Sequence, residues 1–352
     1  MQFTTASNTL CTAALTLTKG GQALIVLLIM LPLGSVSATE RLAQVEDESL
    51  PEITLLSTMV ANYLGAGEWG FSALLEFPQT AWLFDTGFKA DTVKNNAARL
   101  GKDLSKVESV ILSHFHTDHT GGLLTLRRTF RTQNPNAFST VYVAPGFFLQ
   151  RYSKGGVKTY SLPNPYFTES FETPTEFRAA AEGLGMRFVV VEEPLQILPG
   201  VVLTGAIDRV HDEQNVGPGF FLKSPRGDLV ADTVPESQVL GVNTRRGWVL
   251  ISGCGHAGIV NAAEQLRRIK PQAVYLAMGG FHLFQANDAV IDWTAAELAR
   301  FGVQKLVGAH CTGAYATQRI ADHLDLSRDA VSIGAIGMRV DSDLNIVPSS
   351  IE

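Results

Sequence analysis

One short segment, ILSHFHTDHTGG at residues 111–122, constrains this chain more than any other. It places three histidines and an aspartate within six positions of a chain that has only 8 histidines. On an extended backbone, residues two apart face the same way, so His114 and His116 can point at one metal ion. Asp118 and His119 follow in a turn and can reach a second ion about 3.5–4 Å from the first. The segment therefore predicts a centre for two divalent ions rather than a solvated polar loop.

The residues on either side of this segment predict its place in the fold. The apolar run KVESVIL precedes it as a strand, and Asp91 can cap the amino end of a helix, TVKNNAARL, which Gly101 would close. After the cluster, Gly121 and Gly122 allow the backbone to turn away and begin another helix. A ligand-rich loop at the carboxyl end of a strand is where α/β proteins usually carry their chemistry.

The rest of the body reads as two halves, each with strands followed by helices. In the second half, QVLGVNTRRGWVLIS predicts a hairpin with Arg246-Gly247 at its turn. Residues 145–180 are rich in proline, aromatic and hydroxyl side chains, and we expect an irregular excursion with a helix at 176–185 that shapes a substrate pocket. This order favours a sandwich with helices outside over a doubly wound parallel sheet.

Composition excludes one class of partner. The chain has 352 residues, a formal charge of −6 and a pI near 5.8, so it has no basic field to hold nucleic acid nonspecifically. With 45% hydrophobic and 18% charged residues it is typical of globular proteins. We expect a small-molecule substrate as its partner.

The amino terminus predicts a secretory signal peptide at residues 1–38. Lys19 precedes the apolar run ALIVLLIMLPLG, and small residues lead to a cleavage site after Ala38. The run is short for a membrane-spanning helix, which needs about 20 apolar residues. We therefore expect export to the periplasm or the medium without stable membrane insertion; the alternative is an uncleaved anchor. Residues 39–50 are predicted to be a linker and residues 51–352 the folded domain.

The motif SHFHTDHTGG matches the H-x-H-x-D-H signature of the metallo-β-lactamase superfamily. The stretch LFDTG resembles the strand-end Asp-Thr-Gly of that superfamily, in which the aspartate contacts ligands rather than metals. Here that residue is Asp85, for which metal ligation is the alternative. The resemblance implies an α+β fold, a four-layer αββα sandwich, with a pair of metal ions at the edge of the sheets.

Four further stretches, TGAIDRV, ISGCGHAGIVN, GGFHL and GAHCTG, narrow the resemblance. They are similar to a subgroup that contains the archaeal dihydropterin-ribofuranosylaminobenzene-phosphate synthases and many bacterial metal-dependent hydrolases. The resemblance implies that His256 and His310 are metal ligands; a polar-turn role is the alternative for each. For His282 we expect a substrate-facing position, with a buried, hydrogen-bonded imidazole as the alternative. His211 is interpreted as a surface residue and His323 as a structural residue within a helix.

The chain departs from the superfamily pattern at one point. Hydrolases of the superfamily typically have Gly-Asp at the end of the late hairpin, where the carboxylate bridges the two metals, whereas this chain has Gly253-Cys254. Cys254 is either a thiolate ligand or a small buried residue. The usual histidine ahead of the hairpin is also absent, and Asp232 and Glu236 stand in its place. We therefore expect an asymmetric metal pair, or one weak site.

Three functions remain open from the sequence. The first is a hydrolase that uses a metal-bound hydroxide on an ester, lactone, amide or phosphoester, with Asp118 holding the second metal and orienting the nucleophile. Zinc is the expected metal, and iron or manganese also suits this ligand set. The second is a transferase resembling the pterin synthases, with the aromatic residues of 147–171 stacking on the ring; the predicted export argues against it. The third is a metal-binding protein without catalysis.

Overall fold

The structure is a computed structural model that describes residues 50–159, 171–213, 215–216 and 219–349. The predicted signal peptide, residues 39–49 of the predicted linker, and residues 160–170 of the predicted excursion lie outside these ranges. Within them, no helix is long and apolar enough to cross a membrane.

The first half of the fold extends to Val190, and its elements alternate between strands and helices. They are β1 (Glu52–Ser57), β2 (Ser72–Glu76), β3 (Ala81–Phe84), α1 (Thr92–Arg99), β4 (Val107–Ile111), α2 (Thr117–Thr120), α3 (Leu123–Phe130), β5 (Thr140–Val143), β6 (Arg151–Tyr152), β7 (Lys158–Thr159), α4 (Pro174–Gly183) and β8 (Arg187–Val190).

The second half repeats the order of strands and then alternating helices, and its last strands return to the first half. Its elements are β9 (Leu195–Leu198), β10 (Val201–Leu203), β11 (Phe221–Lys223), β12 (Leu229–Ala231), β13 (Val239–Thr244), β14 (Gly247–Ser252), α5 (Ile259–Ile269), β15 (Val274–Gly279), α6 (Asp288–Phe301), β16 (Lys305–Gly308), α7 (Ala314–His323), β17 (Val331–Ser332), β18 (Arg339–Val340) and β19 (Ile346–Val347).

Two large mixed sheets form the centre of the molecule. One has the order β19-β18-β1-β2-β3-β4-β5-β8 and the other β17-β16-β15-β14-β13-β10-β9. In each sheet the pairing changes once from antiparallel to parallel: at β3 in the first sheet and at β14 in the second. Because the carboxyl ends of parallel strands lie at one edge, both sheets present a row of loops there.

Three apolar clusters separate four layers. One cluster lies between the sheets and joins residues such as Phe84 and Ile111 to Ile251 and Met278. A second packs helices α5, α6 and α7 on the outer face of the second sheet, and a third packs α1, α3 and α4 on the outer face of the first. The expected four-layer αββα sandwich is thus confirmed.

Two local predictions are wrong by a few residues. The helix predicted at 176–185 spans Pro174–Gly183, because the Thr173 side chain accepts a hydrogen bond from the Glu176 amide and Pro174 starts the first turn. The hairpin turn predicted at Arg246-Gly247 is formed by residues 245–246. Gly247, with φ of +125°, already belongs to β14, where a Cβ atom would lie 2.4 Å from the Ala273 carbonyl oxygen.

The predicted excursion contributes to the interior more than expected. Strand β6 pairs with β11 of the second half, and β7 and β12 form the two edges of this small third sheet. Phe147 is 1% exposed and its ring centroid lies 5.1 Å from that of Phe115, inside the cluster under the first sheet. The beginning of the aromatic stretch is therefore core, which removes it as a surface on which a substrate ring could stack.

Candidate metal centre

Seven ligand-type side chains gather in two adjacent clusters at the edge where the parallel strands end. In the first, the ligand atoms of His114, His116 and His256 lie within 4.8 Å of one another, and all three residues are buried. In the second, the same limit encloses the side chains of Asp118, His119, Cys254 and His310, which are buried as well.

Close contacts hold each cluster together and join the two. His114 and His116 approach with 3.0 Å between Nε2 and Nδ1, and the ring centroids of His114 and His119 are 4.2 Å apart. Within the second cluster, Cys254 Sγ lies 3.1 Å from His119 Nε2 and 3.3 Å from His310 Nε2. The His310 Nε2 atom is also 3.3 Å from Asp118 Oδ2.

The fold explains why residues far apart in the sequence meet here. The H-x-H-x-D-H segment follows β4, and Asp85 follows the neighbouring parallel strand β3. In the second sheet, Cys254, His282 and His310 each follow one of the parallel strands β14, β15 and β16. Both sheets thus bring their strand ends to one edge, with ligands from each.

Hydrogen bonds fix three of the imidazoles with one nitrogen turned into the clusters. Asp85 Oδ2 lies 2.7 Å from His119 Nδ1 and also accepts the hydroxyl hydrogen of Ser113 at 2.7 Å. Since that hydroxyl has no second hydrogen, its oxygen accepts from His114 Nδ1 at 2.9 Å. The carbonyl oxygen of Asn215 accepts from His256 Nδ1 at 2.7 Å. In the neutral rings of His114 and His256 the Nε2 atom is then unprotonated, which is the form that binds metal, and His119 turns its Nε2 towards Cys254.

Several polar atoms of the clusters have no protein partner among the described residues. They are His116 Nε2, Asp118 Oδ1, His256 Nε2 and His310 Nδ1, all buried. Buried polar atoms are normally hydrogen-bonded, so four orphans in one place indicate a missing ligand. Imidazole, carboxylate and thiolate together suit zinc, and the residues present therefore fit a pair of divalent ions.

The electrostatics of the first cluster favour neutral imidazoles. Burial, reinforced by the neighbouring histidines, holds the pKa of His114 and of His256 well below the ordinary value. Burial likewise lowers the pKa of His116, to about 4, against the opposing effect of Asp118. These three rings are deprotonated at neutral pH and need not lose protons to bind a cation.

The second cluster has the opposite balance because it contains acids. Burial opposes ionisation of Asp118, but His119 and His310 outweigh it and lower the pKa of the carboxyl. His310 is also buried, yet Cys311 and Asp118 raise its pKa to about 10. An anionic group beside imidazoles creates a site that favours positive charge, whether a proton or a metal ion.

Three residues at this edge have left-handed backbone conformations that side chains rarely adopt. The φ values are +56° for Asp85, +51° for His282 and +46° for His310. Such conformations cost of order 1–3 kcal/mol each and are found where surrounding structure and function require them. From the ends of their strands, Asp85 and His282 contact cluster residues, and His310 belongs to the second cluster itself.

His282 belongs to neither cluster but borders the first. Its ring centroid is 4.6 Å from that of His256 and 5.5 Å from that of Phe284. It is partly exposed, whereas His256 is buried. The partial exposure of His282 differs from the fully buried alternative, and its substrate-facing role stays a prediction.

Asp232 and Glu236, which the sequence offered as substitutes for the missing histidine, have another partner. The guanidinium of Arg151 contacts both: its Nε donates to Asp232 Oδ2 at 2.8 Å, and its Nη2 donates to Glu236 Oε1. Neither carboxylate belongs to either cluster. His256 completes the first cluster in their place.

Of the two remaining histidines, His211 is half-buried in the loop before Glu213, and His323 is exposed at the carboxyl end of α7. Two residues that contact the centre, Asn215 and Trp69, could not be identified from the sequence. Asn215 meets His256, 41 positions away, only in the folded protein, and Trp69 lies in the glycine-rich stretch GAGEWG.

The sandwich and its metal-binding edge define a class of protein. The family model of that class, the metallo-beta-lactamase superfamily, matches residues 70–264 of this chain. The chain belongs to this superfamily. The resemblance of the sequence motifs to it is thereby confirmed.

The individual proteins described next are each less than 30% identical to this chain in sequence. A 7,8-dihydropterin-6-methyl-4-(beta-D-ribofuranosyl)-aminobenzene-5'-phosphate synthase of Methanocaldococcus jannaschii is 29% identical over 269 residues, which cover 73% of this chain and 86% of the relative. Among solved structures, a metal-dependent hydrolase of the beta-lactamase superfamily has a TM-score of 0.65 and 26% identity, covering 83% of this chain and 98% of its own. The metallo-beta-lactamase fold protein YhfI of Bacillus subtilis, with 13% identity and a TM-score of 0.50 over 83% of this chain and 99% of its own, shares the fold.

Proposed function

We propose that the protein is a metal-dependent hydrolase of an ester, lactone, amide or phosphoester. The observation that carries this proposal is the pair of buried clusters, in which four polar atoms have no protein partner in the described part of the chain and so indicate two adjacent cations. Divalent ions in such a site lower the pKa of a coordinated water and polarise a carbonyl or phosphoryl oxygen. Zinc is the expected metal because nitrogen and thiolate ligands predominate.

The side chains of the clusters have separate roles in this proposal. His114, His116 and His256 would hold one ion, and Asp118, His119, Cys254 and His310 would hold the other. Asp118 would also orient the nucleophile, because its Oδ1 has no partner among the described residues while Oδ2 faces His310. His282, partly exposed beside His256, would contact the substrate.

The test compares two histidine substitutions in a screen with esters, lactones, amides and phosphodiesters. His116→Ala removes a cluster residue, and His323→Ala removes an exposed histidine at a helix end. We expect two equivalents of metal and measurable turnover for the wild type and for His323→Ala, and a loss of about a hundredfold or more for His116→Ala. A wild-type protein without bound metal, or unchanged turnover in His116→Ala, would reject the proposal.

A dihydropterin-linked transferase is the second candidate, supported by the relative with that type of name and by one feature of the site. Trp69 and Phe284 are 37% and 38% exposed, and their ring centroids are 5.1 Å apart. Trp69 is also 5.1 Å from the ring of His310, and Phe284 contacts His282. This aromatic pair lies against His310 of the second cluster and against His282, and could receive a flat ring by stacking.

Incubation with a dihydropterin pyrophosphate and an aromatic amine separates the two candidates. A transferase would release pyrophosphate, and Trp69→Leu would weaken binding of the pterin, whereas Trp293→Leu, an equally exposed tryptophan on α6, would not. Absence of both binding and pyrophosphate release would reject the transferase. Absence of turnover with every substrate, despite stoichiometric metal, would leave the non-catalytic metal-binding function.

A further inference from the structure

A second thiol lies against the candidate ligand Cys254. The sulfurs of Cys254 and Cys311 are 3.4 Å apart, and both residues are buried, at 4% and 1% exposure. The Cys311 sulfur also lies 3.7 Å from the Cys254 carbonyl oxygen. The Cys311 thiol therefore donates a hydrogen bond to the Cys254 sulfur, and no disulfide joins the two residues.

The backbone is shaped to hold the two sulfurs together. Gly280 leaves space for Cys311, because a Cβ atom at that position would lie 2.9 Å from the Cys311 sulfur. The Cys311 carbonyl accepts hydrogen bonds from the amides of Leu283 and Phe284, at 3.0 and 3.1 Å, which fixes the turn that carries the thiol. A disulfide needs the sulfurs about 2.05 Å apart, and the two thiols already face each other at 3.4 Å.

Metal binding and disulfide formation compete for the same atom. Cys254 Sγ faces His119 Nε2 at 3.1 Å on one side and Cys311 on the other. A sulfur engaged by a cation is a weaker nucleophile, and a sulfur in a disulfide no longer offers a thiolate to a metal. The two states of Cys254 therefore exclude each other.

We propose that Cys254 and Cys311 form a redox pair that a peroxide closes to an intramolecular disulfide in the metal-free protein, and that bound metal protects. The protection rests on the metal centre proposed above, whereas the closure does not. One thiolate attacks the peroxide, the O–O bond breaks, and a sulfenic acid and hydroxide form. The second thiolate then attacks the sulfenic sulfur, the S–S bond forms and hydroxide leaves. The two thiol protons convert both hydroxides to water, so two thiols and one hydrogen peroxide give one disulfide and two waters.

The experiment uses the full chain with Cys11→Ser, so that Cys254 and Cys311 are its remaining thiols. Metal is removed with a chelator, hydrogen peroxide is added, and the free thiols are alkylated and measured by mass spectrometry. We expect loss of both alkylation sites, a mass lower by two hydrogens, and a cross-link between the tryptic peptides 247–267 and 306–319. Cys311→Ser in the same background is the matched control and should give no cross-link.

The experiment with zinc measures how far bound metal slows disulfide formation and how much zinc the oxidised and reduced proteins bind. Zinc-loaded protein should close the disulfide at least about tenfold more slowly than the metal-free protein. The oxidised protein should bind less zinc, and a thiol reductant should restore the full amount. Persistence of both thiols, or added oxygen without the cross-link, would overturn the redox pair. Equal rates with and without bound zinc would overturn the protection. A protein that takes up no zinc before peroxide is added would instead refute the metal centre, and the cross-link would still decide the pair.

Discussion

Asp85 acts on the candidate metal centre through two histidines. It accepts directly from His119, and through the Ser113 hydroxyl it fixes the ring of His114. Its other oxygen accepts the Ser113 amide at 2.7 Å, so the carboxylate is fully engaged. One buried charge thus sets the orientation of one histidine in each cluster, and its strained backbone conformation is consistent with that role.

We therefore predict that Asp85→Asn weakens metal binding by about 10–100-fold, because an amide has one acceptor oxygen and cannot accept the Ser113 amide as well as the Ser113 hydroxyl and His119. Competition with a chromogenic chelator measures the affinity. Asp91→Asn is the matched control, since Asp91 starts α1 on the exposed surface without a capping hydrogen bond. Equal affinities for the two variants would show that Asp85 does not position the ligands.

How much of this site the sequence could predict depends on the distance over which each residue acts. His114 to His119 lie in one motif, and the ligand positions at 256 and 310 follow from strand ends matched to a known family. Arg151 could not be predicted, because its partner Asp232 is 81 positions away and the pairing exists only once β6 and β11 share a sheet. The thiol contact of Cys254 with Cys311 depends in the same way on the packing of β14, β15 and β16.

At the scale of elements, Arg151 joins the excursion to the loop ahead of β13. Its side chain is fully buried between Asp232 and Glu236, and Glu236 also accepts the amide of Phe115 at 3.1 Å. Burial disfavours the charge of Arg151, but Glu236 and Asp232 raise its pKa above the usual value. The ion triad thereby connects β6 to the loop that carries the H-x-H motif.

Arg151→Met should lower the free energy of unfolding by about 3–5 kcal/mol, because it leaves two buried carboxylates without a counter-charge. Arg178→Met, which breaks a half-exposed pair with Glu182 on α4, should cost less than about 1 kcal/mol. Denaturant unfolding of metal-free protein measures both. A triple variant, Arg151→Met with Asp232→Asn and Glu236→Gln, should recover part of the loss. Similar costs for the two single variants would contradict this account.

A second contact between elements lies at the start of α5. Glu213 accepts the amides of Val260 and Asn261 at 3.2 and 2.8 Å, so it caps a helix that has no capping side chain of its own. Burial nevertheless raises the pKa of Glu213 to about 7, against the amides and Arg209. The same loop provides the Asn215 carbonyl that orients His256.

This raised pKa predicts a pH-dependent stability. Because the folded-state pKa of about 7 exceeds the ordinary value of 4.5, the stabilising contribution is complete below pH 4.5 and is lost as the pH rises through about 7. The free energy of unfolding of the wild type, relative to Glu213→Gln, should therefore fall by up to about 3 kcal/mol across this range. Glu182→Gln on the surface of α4 is the control. If the difference in free energy of unfolding between the wild type and Glu213→Gln did not change with pH, folding would not raise the pKa of Glu213.

Among the elements themselves, those with a local signal were predictable. Apolar runs and glycine stops marked the strands β4, β14 and β16 and the helices α5 and α6, where Gly302 closes the helix with φ of +83°. The small third sheet was not predictable, since β6 and β7 are two residues long and β6 obtains its other partner from a segment some 70 positions later. The burial of Phe147 was not predictable either, because a sequence does not distinguish a buried phenylalanine from an exposed one.

At the scale of the whole molecule, the two clusters bridge the two halves. The histidines of the first half meet Cys254, His256 and His310 of the second, so bound ions would connect the sheets at their common edge. Ligands that bind only the folded state stabilise it by mass action.

Removal of metal should therefore lower the stability of the entire fold. At a free zinc concentration about 100-fold above the dissociation constant, we expect a loss of about 3 kcal/mol for each ion removed. Thermal unfolding with and without a chelator measures the effect. The chelator should have a much smaller effect on His116→Ala, which lacks a cluster residue, than on His323→Ala. Identical melting temperatures with and without chelator would contradict the bridging role.

The division of the ligands between the halves has a consequence for the order of events after synthesis. Within each cluster, ligand atoms from residues 114–119 and 254–310 come together only when the two sheets have packed. An early intermediate with one sheet formed would have incomplete coordination and would bind metal weakly. Metal uptake should consequently be among the last kinetic steps of refolding, and a zinc-sensitive dye would time the docking of one half on the other.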